Sequence, residues 1–339
     1  MPRAALVLSL LLTLTGTARA DFDALLAAAR TGDTEAALDM LSAGEAPNPP
    51  EWYSSGYSPL QFAARDGDVE LVRALLEAGA DTEYRDHNGD RALLWAARSR
   101  SAVTVRLLLK AGSPADSPDD PYGRTALMLA SFTRDADVVR VLLEHGADPH
   151  RFDQSTETAL HHAAWGGATE VAGVLLAAGA NPGAVSDILY RTPLHFAASY
   201  GDPELIAMLM VDGPRNSRDI DGNTALMFAT LSGRPENVRA LLQGGARADV
   251  AEDGGLTPLL VAARTGQVEI ARLLLDAGAD PLAVDRAGLG IDYYLDWHPE
   301  PTILPEGSRA ASIGNDPTPE ELAQLDAAHA EIRAMLAAR

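Results

Sequence analysis

The sequence predicts an all-α protein built from repeated helical units, and three observations carry that expectation. A short string, Ser58-Pro59-Leu60-Gln61-Phe62-Ala63-Ala64 in its first copy, returns along the chain with its leucine at 60, 93, 127, 160, 194, 226 and 259, in steps of 32 to 34 residues. A fixed period of that size marks an array of supersecondary units rather than a single compact core. Each string is followed by a second apolar segment with apolar residues three and four apart, as at Val268, Ile270, Ala271, Leu274 and Leu275. That is helical spacing. Each second segment then closes on a glycine, at 79, 112, 146, 179, 213, 245 and 278, the residue best suited to the left-handed conformation at a helix C-terminus.

Taken in order, the first element is an address. Arg3 precedes an apolar run of 11 residues, 4–14, and Ala18-Arg19-Ala20 is the small-x-small pattern of a signal-peptidase site. The run is too short to span a bilayer, and the order of the regions is that of an export signal at 1–20. A shorter helix pair is expected next, at 24–30 and 34–41, within an N-terminal capping segment 21–51 that ends in a loop with three prolines. The array proper runs over 52–296. Each unit opens with Thr or Ser ahead of Pro or Ala, except at Arg91, and that pair is a good helix start. Gly288-Leu289-Gly290-Ile291-Asp292 reads as a decayed eighth opening, and 297–316 as a Pro/Gly-rich linker. A capping helix closes the chain over 317–339: Thr318 caps, Pro319 sits in the first turn and Glu321 reaches back. Leu322, Leu325, His329, Ile332 and Leu336 share one face, which is expected to dock on the last repeat as a lid.

With Thr192-Pro193-Leu194-His195 and the Gly-Ala-Asp closures at Gly79, Gly146 and Gly278, the chain resembles the ankyrin-repeat family over seven units, from about 52 to 281. The resemblance implies an all-α ankyrin-repeat solenoid: helix–turn–helix units with projecting β-turn fingers, and atypical capping units at both ends. Stability would then be roughly a sum of neighbour interfaces. The resemblance also implies that His161 and His195 brace their turns, and that partners are met by the finger tips and by two positions after the paired alanines. Carried over residue by residue, those positions hold Arg65/Asp66, Arg98/Ser99, Phe132/Thr133, Trp165/Gly166, Ser199/Tyr200, Leu231/Ser232 and Arg264/Thr265. Phe132, Trp165, Tyr200 and Leu231 form an apolar middle between Arg65, Arg98 and Arg264. The finger tips add Tyr57, Tyr122, Ile188, Leu189, Ile220 and Leu256. Aromatic anchors beside arginine are the makeup of binding hot spots. The alternative is that these side chains fill gaps between repeats.

Composition excludes much else. Lys+Arg 27 against Asp+Glu 48 gives a formal charge of −21, the wrong sign for a phosphate backbone, so no nucleic-acid partner is expected. Loss of 1–20 would leave 25 basic residues against 48 acidic ones. No cysteine is present, which removes disulfides, thiolate metal sites and cysteine nucleophiles. Lys110 is the one lysine, a bias expected of a GC-rich bacterial genome. Adjacent His161 and His162 diverge by about 100° on a helix and are poorly placed to chelate one ion. His145, Asp148 and His150 are a weak metal candidate beside a repeat closure. Asp86, Asp120, Asp153, Asp187 and Asp219 recur once per unit and read as turn chemistry rather than catalytic acids. With no zinc-protease, nucleophile-elbow or phosphate-loop motif, the expectation is an exported, periplasmic, non-enzymatic module. It would be monomeric on its own, without cofactor or metal, and off the membrane once cleaved. It would bind an unidentified protein and support an enzyme, as exported proteins of this resemblance are thought to do for catalases. An immunity protein or inhibitor in the same compartment is the alternative.

Overall fold

The computed structural model describes residues 21–50, 53, 56–118, 120–296 and 318–338. The expected export signal at 1–20 and the whole of the expected linker at 297–316 lie outside these residues. The described elements are all helical, apart from one isolated antiparallel bridge between Phe152 and Thr158. The chain divides into two compact units, one ending at Asn181 and the other beginning at Pro182.

The first unit opens with α1 over 21–31 and α2, Thr34–Ser42. Four helix pairs follow: α3, Pro59–Asp66, with α4, Val69–Glu77; α5, Ala92–Ser99, with α6, Ala102–Lys110; α7, Ala126–Phe132, with α8, Ala136–Glu144; and α9, Ala159–Gly166, with α10, Thr169–Ala177. First helices stack on first helices (α3 on α5, α5 on α7, α7 on α9), and second helices likewise from α2 to α10. The paired alanines make this possible. Ala63, Ala64, Ala96, Ala97, Ala163 and Ala164 are buried with almost no exposure, and a methyl group lets neighbouring first helices approach closely. The bulk is supplied by Leu60, Leu71, Leu75, Leu93, Leu108, Leu127 and Leu142, each contributing about 1.5–3 kcal/mol on full burial.

The second unit repeats the scheme with α11, Pro193–Tyr200, and α12, Pro203–Asp212; α13, Ala225–Leu231, and α14, Pro235–Gln243; and α15, Pro258–Arg264, and α16, Val268–Asp276. Asn237 is fully buried and donates from Nδ2 to the carbonyls of Ala198 and Gly201, 3.1 and 3.2 Å away. It thereby satisfies the open C-terminus of α11 from the neighbouring pair. Two further helices complete the unit: α17, Ile291–Leu295, stacks on α15, and α18, Pro319–Ala337, stacks on α16. They occupy the first- and second-helix places of an eighth pair, although they are far apart in sequence. His329 and Ile332 are buried on α18, Arg272 pairs with Glu331 at 3.0 Å, and Arg333 pairs with Asp296 at the end of α17.

Helix starts follow the sequence. Ser58, Thr125 and Thr318 form capping boxes, and Asp68, Asp135 and Asp202 accept from the N–H three residues on. One glycine has a structural duty beyond its turn. Gly266 has φ +67°, and a Cβ there would meet Leu325 Cδ1 at 2.7 Å and Ala328 Cβ at 3.2 Å, both on α18. Gly266→Ala therefore combines left-handed strain with displacement of α18. The expected loss is about 1–2 kcal/mol in a urea titration, and the same substitution in a chain ending before Thr318 should cost less.

Candidate protein-binding surface

Between the second helix of one pair and the first helix of the next, the chain reverses in a finger, and a carboxylate organises the turn. Asp86 Oδ1 accepts the N–H groups of Asn88 and Asp90 at 2.8 and 3.0 Å. Asp120 does the same for Tyr122 and Arg124, Asp153 for Ser155 and Glu157, Asp219 for Asp221 and Asn223, and Asp285 for Ala287 and Leu289. The second oxygen often reaches the residue nine positions on, in the first helix. Asp86 Oδ2 takes Trp95 Nε1–H at 3.1 Å, Asp153 Oδ2 faces His162 Nε2 at 3.0 Å, and Asp285 Oδ2 takes the Tyr294 hydroxyl at 2.5 Å. Burial pushes the Asp153 carboxyl up, but the bonds from His162 and from the Glu157 and Ser155 N–H groups outweigh it and hold it below the ordinary range. The Tyr294 hydroxyl is pushed up to about 12 by burial and by its bond to Asp285.

Asp187 corrects the expectation of one turn aspartate per unit. The finger before α11 is one residue longer: Ser186 N–H bonds to Arg191 C=O, where Asp219 N–H bonds to Asn223 C=O. Ser186, 2% exposed, takes the turn position and accepts from Arg191 N–H, while Asp187 is exposed. In the finger before α15, Glu252 substitutes by receiving Gly254 on one oxygen and Leu256 on the other.

At Gln61 and His195 the fourth motif position ties the first helix to the finger that follows. His195 Nδ1 accepts Thr192 N–H at 3.0 Å, so Nε2 carries the hydrogen and faces the carbonyls of Ser217 and Asn223 at 3.1 and 3.2 Å. Gln61 makes the same pair of links: its Oε1 accepts Ser58 N–H at 2.8 Å, and its Nε2 donates to Asp90 C=O at 2.6 Å. His161 Nδ1 accepts Thr158 N–H at 3.1 Å. Burial drives the His195 pKa below its ordinary 6.5, against the raising effect of its carbonyl partners and Asp219.

The metal candidates resolve into structural roles. His145 Nδ1 lies 2.8 Å from Val141 C=O, and Asp148 Oδ1 takes His150 N–H. A different trio, Asp153, Glu157 and His162, gathers ligand atoms within 4.8 Å. The His162–Asp153 bond, however, is the counterpart of the Trp95–Asp86 and Tyr294–Asp285 bonds, where no second metal ligand exists.

The expected recognition residues fall on both units. In the first, Phe132 and Trp165 are 47% and 44% exposed and meet edge to face with centroids 5.5 Å apart. In the second, Tyr200 and Leu231 are 54% and 50% exposed. Tyr122 is exposed and lies under the Arg124 guanidinium, and Leu189 is half-buried. Arg65 stacks over Phe62 and pairs with Asp66 at 2.7 Å. Arg98 stacks over Trp95 and pairs with buried Asp90 at 2.9 Å, and Arg264 is half-buried. Sequence reasoning missed the small aromatic cavity of about 100 Å³ formed by Tyr57, Phe62 and Trp95 with Gln61 and Arg65. Trp95 stands where other units carry Phe62, His162 or Phe228, and that position was available as its signal.

The family model for ankyrin repeats matches residues 24–119, 79–153, 104–186 and 194–285. The chain belongs to the ankyrin-repeat family. Ankyrin repeats mediate protein–protein interaction, and the family is typically a non-enzymatic interaction module. Similar proteins include the E3 ubiquitin-protein ligase KEG of Arabidopsis thaliana, 37% identical over 102 residues, 29% of this chain and 6% of that protein. The ankyrin repeat protein nuc-2 of Neurospora crassa is 33% identical over 147 residues, 43% of this chain and 14% of its own. Human inversin is 32% identical over 137 residues, 39% and 13% of the two chains. The ankyrin array thus matches only a small part of each of these relatives.

Two outcomes follow from the internal bonds. Asp153→Ala leaves the Ser155 and Glu157 N–H groups and His162 without their carboxylate partner and should cost about 3 kcal/mol in denaturant unfolding. His195 stays neutral when folded at pH values where the unfolded chain already binds a proton. Its contribution is therefore complete above pH 6.5 and lost as pH falls below it. In His195→Gln, patterned on Gln61, that loss should vanish. Between pH 7.5 and 5.5 the wild type should lose up to about tenfold in total in its folding constant relative to the variant, read from parallel urea titrations.

Proposed function

We propose that this ankyrin-repeat chain is an exported, non-enzymatic module that binds a protein partner through the exposed first-helix and finger positions of its array. The observation that carries the reading is the Phe132–Trp165 pair. Two large rings, each close to half exposed, meet edge to face. Exposed aromatic pairs of this kind are what interfaces bury at their centres. Tyr200 and Leu231 offer the same character on the second unit, with Tyr122 on a finger.

Export rests on the sequence of residues 1–20, and the periplasm of a bacterium is the compartment that fits it. The role proposed there is support of an enzyme, with catalase as the candidate raised by the resemblance to exported ankyrin proteins. Purification of the protein from its own host's periplasm, with mass spectrometry of what it carries, tests compartment and role together. An N-terminus at Asp21 and a co-purifying active enzyme are expected. Intact Met1 in the cytoplasm would overturn export, and a co-purifying enzyme held inactive would turn the role into inhibition.

Trp165→Ala should weaken binding of the recovered partner by about 2 kcal/mol, roughly thirtyfold, while the melting temperature changes little. Calorimetric titration and thermal melting of the same variant give both values. Normal binding with a large loss of stability would make Trp165 a packing residue and remove the centre of the proposed surface.

A further inference from the structure

Three rings from two neighbouring repeats meet at one small cavity on the first unit. Tyr57 is the common member: its ring centroid lies 5.1 Å from that of Phe62 and 5.7 Å from that of Trp95. The other two walls are held from behind. Phe62 is buried in α3, and Trp95 is fixed by its Nε1–H bond to Asp86 Oδ2 at 3.1 Å. Gln61 and Arg65 complete a lining that encloses about 100 Å³. That is room for one side chain, well below the roughly 300–1,000 Å³ of a small-molecule pocket.

The charges around the rings narrow the occupant. Arg65 gives Nε and Nη2 to the two oxygens of Asp66 at 2.7 and 3.0 Å while standing over Phe62. Arg98 pairs with Asp90 at 2.9 Å while standing over Trp95. Both guanidiniums are neutralised, so an anion meets no uncompensated charge. They also take up ring surface that a ligand cation would need. A neutral apolar group is left, and hydrogen bonding selects its kind. The acceptors beside the rings are engaged: Gln61 Oε1 by Ser58 N–H, Asp66 by Arg65, and Asp86 Oδ2 by Trp95. Donors are not, since among the described residues neither the Tyr57 hydroxyl nor Arg65 Nη1 has a hydrogen-bond partner. Proline answers both conditions, with an apolar ring, flanking carbonyls to accept and no N–H to satisfy.

We propose that this cavity takes the ring of a proline from a proline-rich, extended segment of a partner protein, with the Tyr57 hydroxyl and Arg65 donating to the flanking peptide carbonyls. Such a segment is already extended before it binds, so an aromatic-lined cleft holds it at low entropic cost. The cavity shares no residue with the Phe132–Trp165 pair, so either surface can fail without the other.

The test is fluorescence anisotropy of the full chain with fluorescein-labelled decaproline, and with a labelled Leu-Ser repeat peptide of the same length. Decaproline should bind saturably, at least about tenfold tighter than the Leu-Ser peptide, and lose at least about tenfold in Tyr57→Ala and in Trp95→His. Trp165→Ala should bind it as the wild type does. Trp95→His places an imidazole beside Asp86, as His162 stands beside Asp153, and is expected to melt normally; should it not, Tyr57→Ala decides alone. Equal or tighter binding of the Leu-Ser peptide or undiminished binding in Tyr57→Ala would overturn the proposal. So would displacement of decaproline by tetramethylammonium chloride at concentrations where sodium chloride has no effect, which would make the cavity a cation site.

Discussion

A finger is a stretch of backbone with N–H groups that no helix satisfies, and a side-chain acceptor at the turn resolves this at each repeat. One carboxylate oxygen takes the N–H groups two and four residues on, so a single side chain closes the turn. In three fingers the other oxygen then holds the first helix through Trp95, His162 or Tyr294. Finger and helix are thereby set at one angle, and that angle lets the next pair stack. The exceptions define the requirement. Ser186 closes a turn one residue longer, and Glu252 closes one with both of its oxygens. What the turn demands is a side-chain acceptor at that place.

The same economy explains which side chains are left for recognition. Gln61 and His195 spend both ends of their side chains on neighbouring backbone, and Asn237 caps α11 from inside the adjacent pair. These inward-pointing donors serve the array's own backbone. Where side chains point outward, the chain places rings and arginines. Arg65 and Arg98 belong partly to both classes, since their stacking on Phe62 and Trp95 and their pairing with Asp66 and Asp90 hold them in place. A guanidinium fixed in this way loses less freedom when a partner arrives.

The helical units were legible because their signals are local: leucine period, paired alanines and closing glycine each answer to one turn of backbone. The roles of His161 and His195 at the turn followed from the family pattern for a similar reason. Asp187 misled because a one-residue insertion shifts the turn to Ser186, and a repeat count cannot place an insertion within its unit. The exposure of Phe132, Trp165, Tyr200 and Leu231 matches positions read from the motif, but the aromatic cavity at Tyr57, Phe62 and Trp95 needs three residues from two repeats and a distance. The equivalence of α17 and α18 to one helix pair was hidden by their separation, which breaks the 33-residue rhythm that made the other pairs visible.

That separation changes how the end of the array behaves. α18 seats on α16 with the Arg272–Glu331 pair and meets the end of α17 through Arg333 and Asp296, so it acts as a ligand carried on its own protein. Its occupancy is governed by an intramolecular effective concentration rather than by the protein's concentration in solution. A free helix presenting the same stripe would compete for the α16 face by mass action, and the terminus is in that sense an exchangeable part.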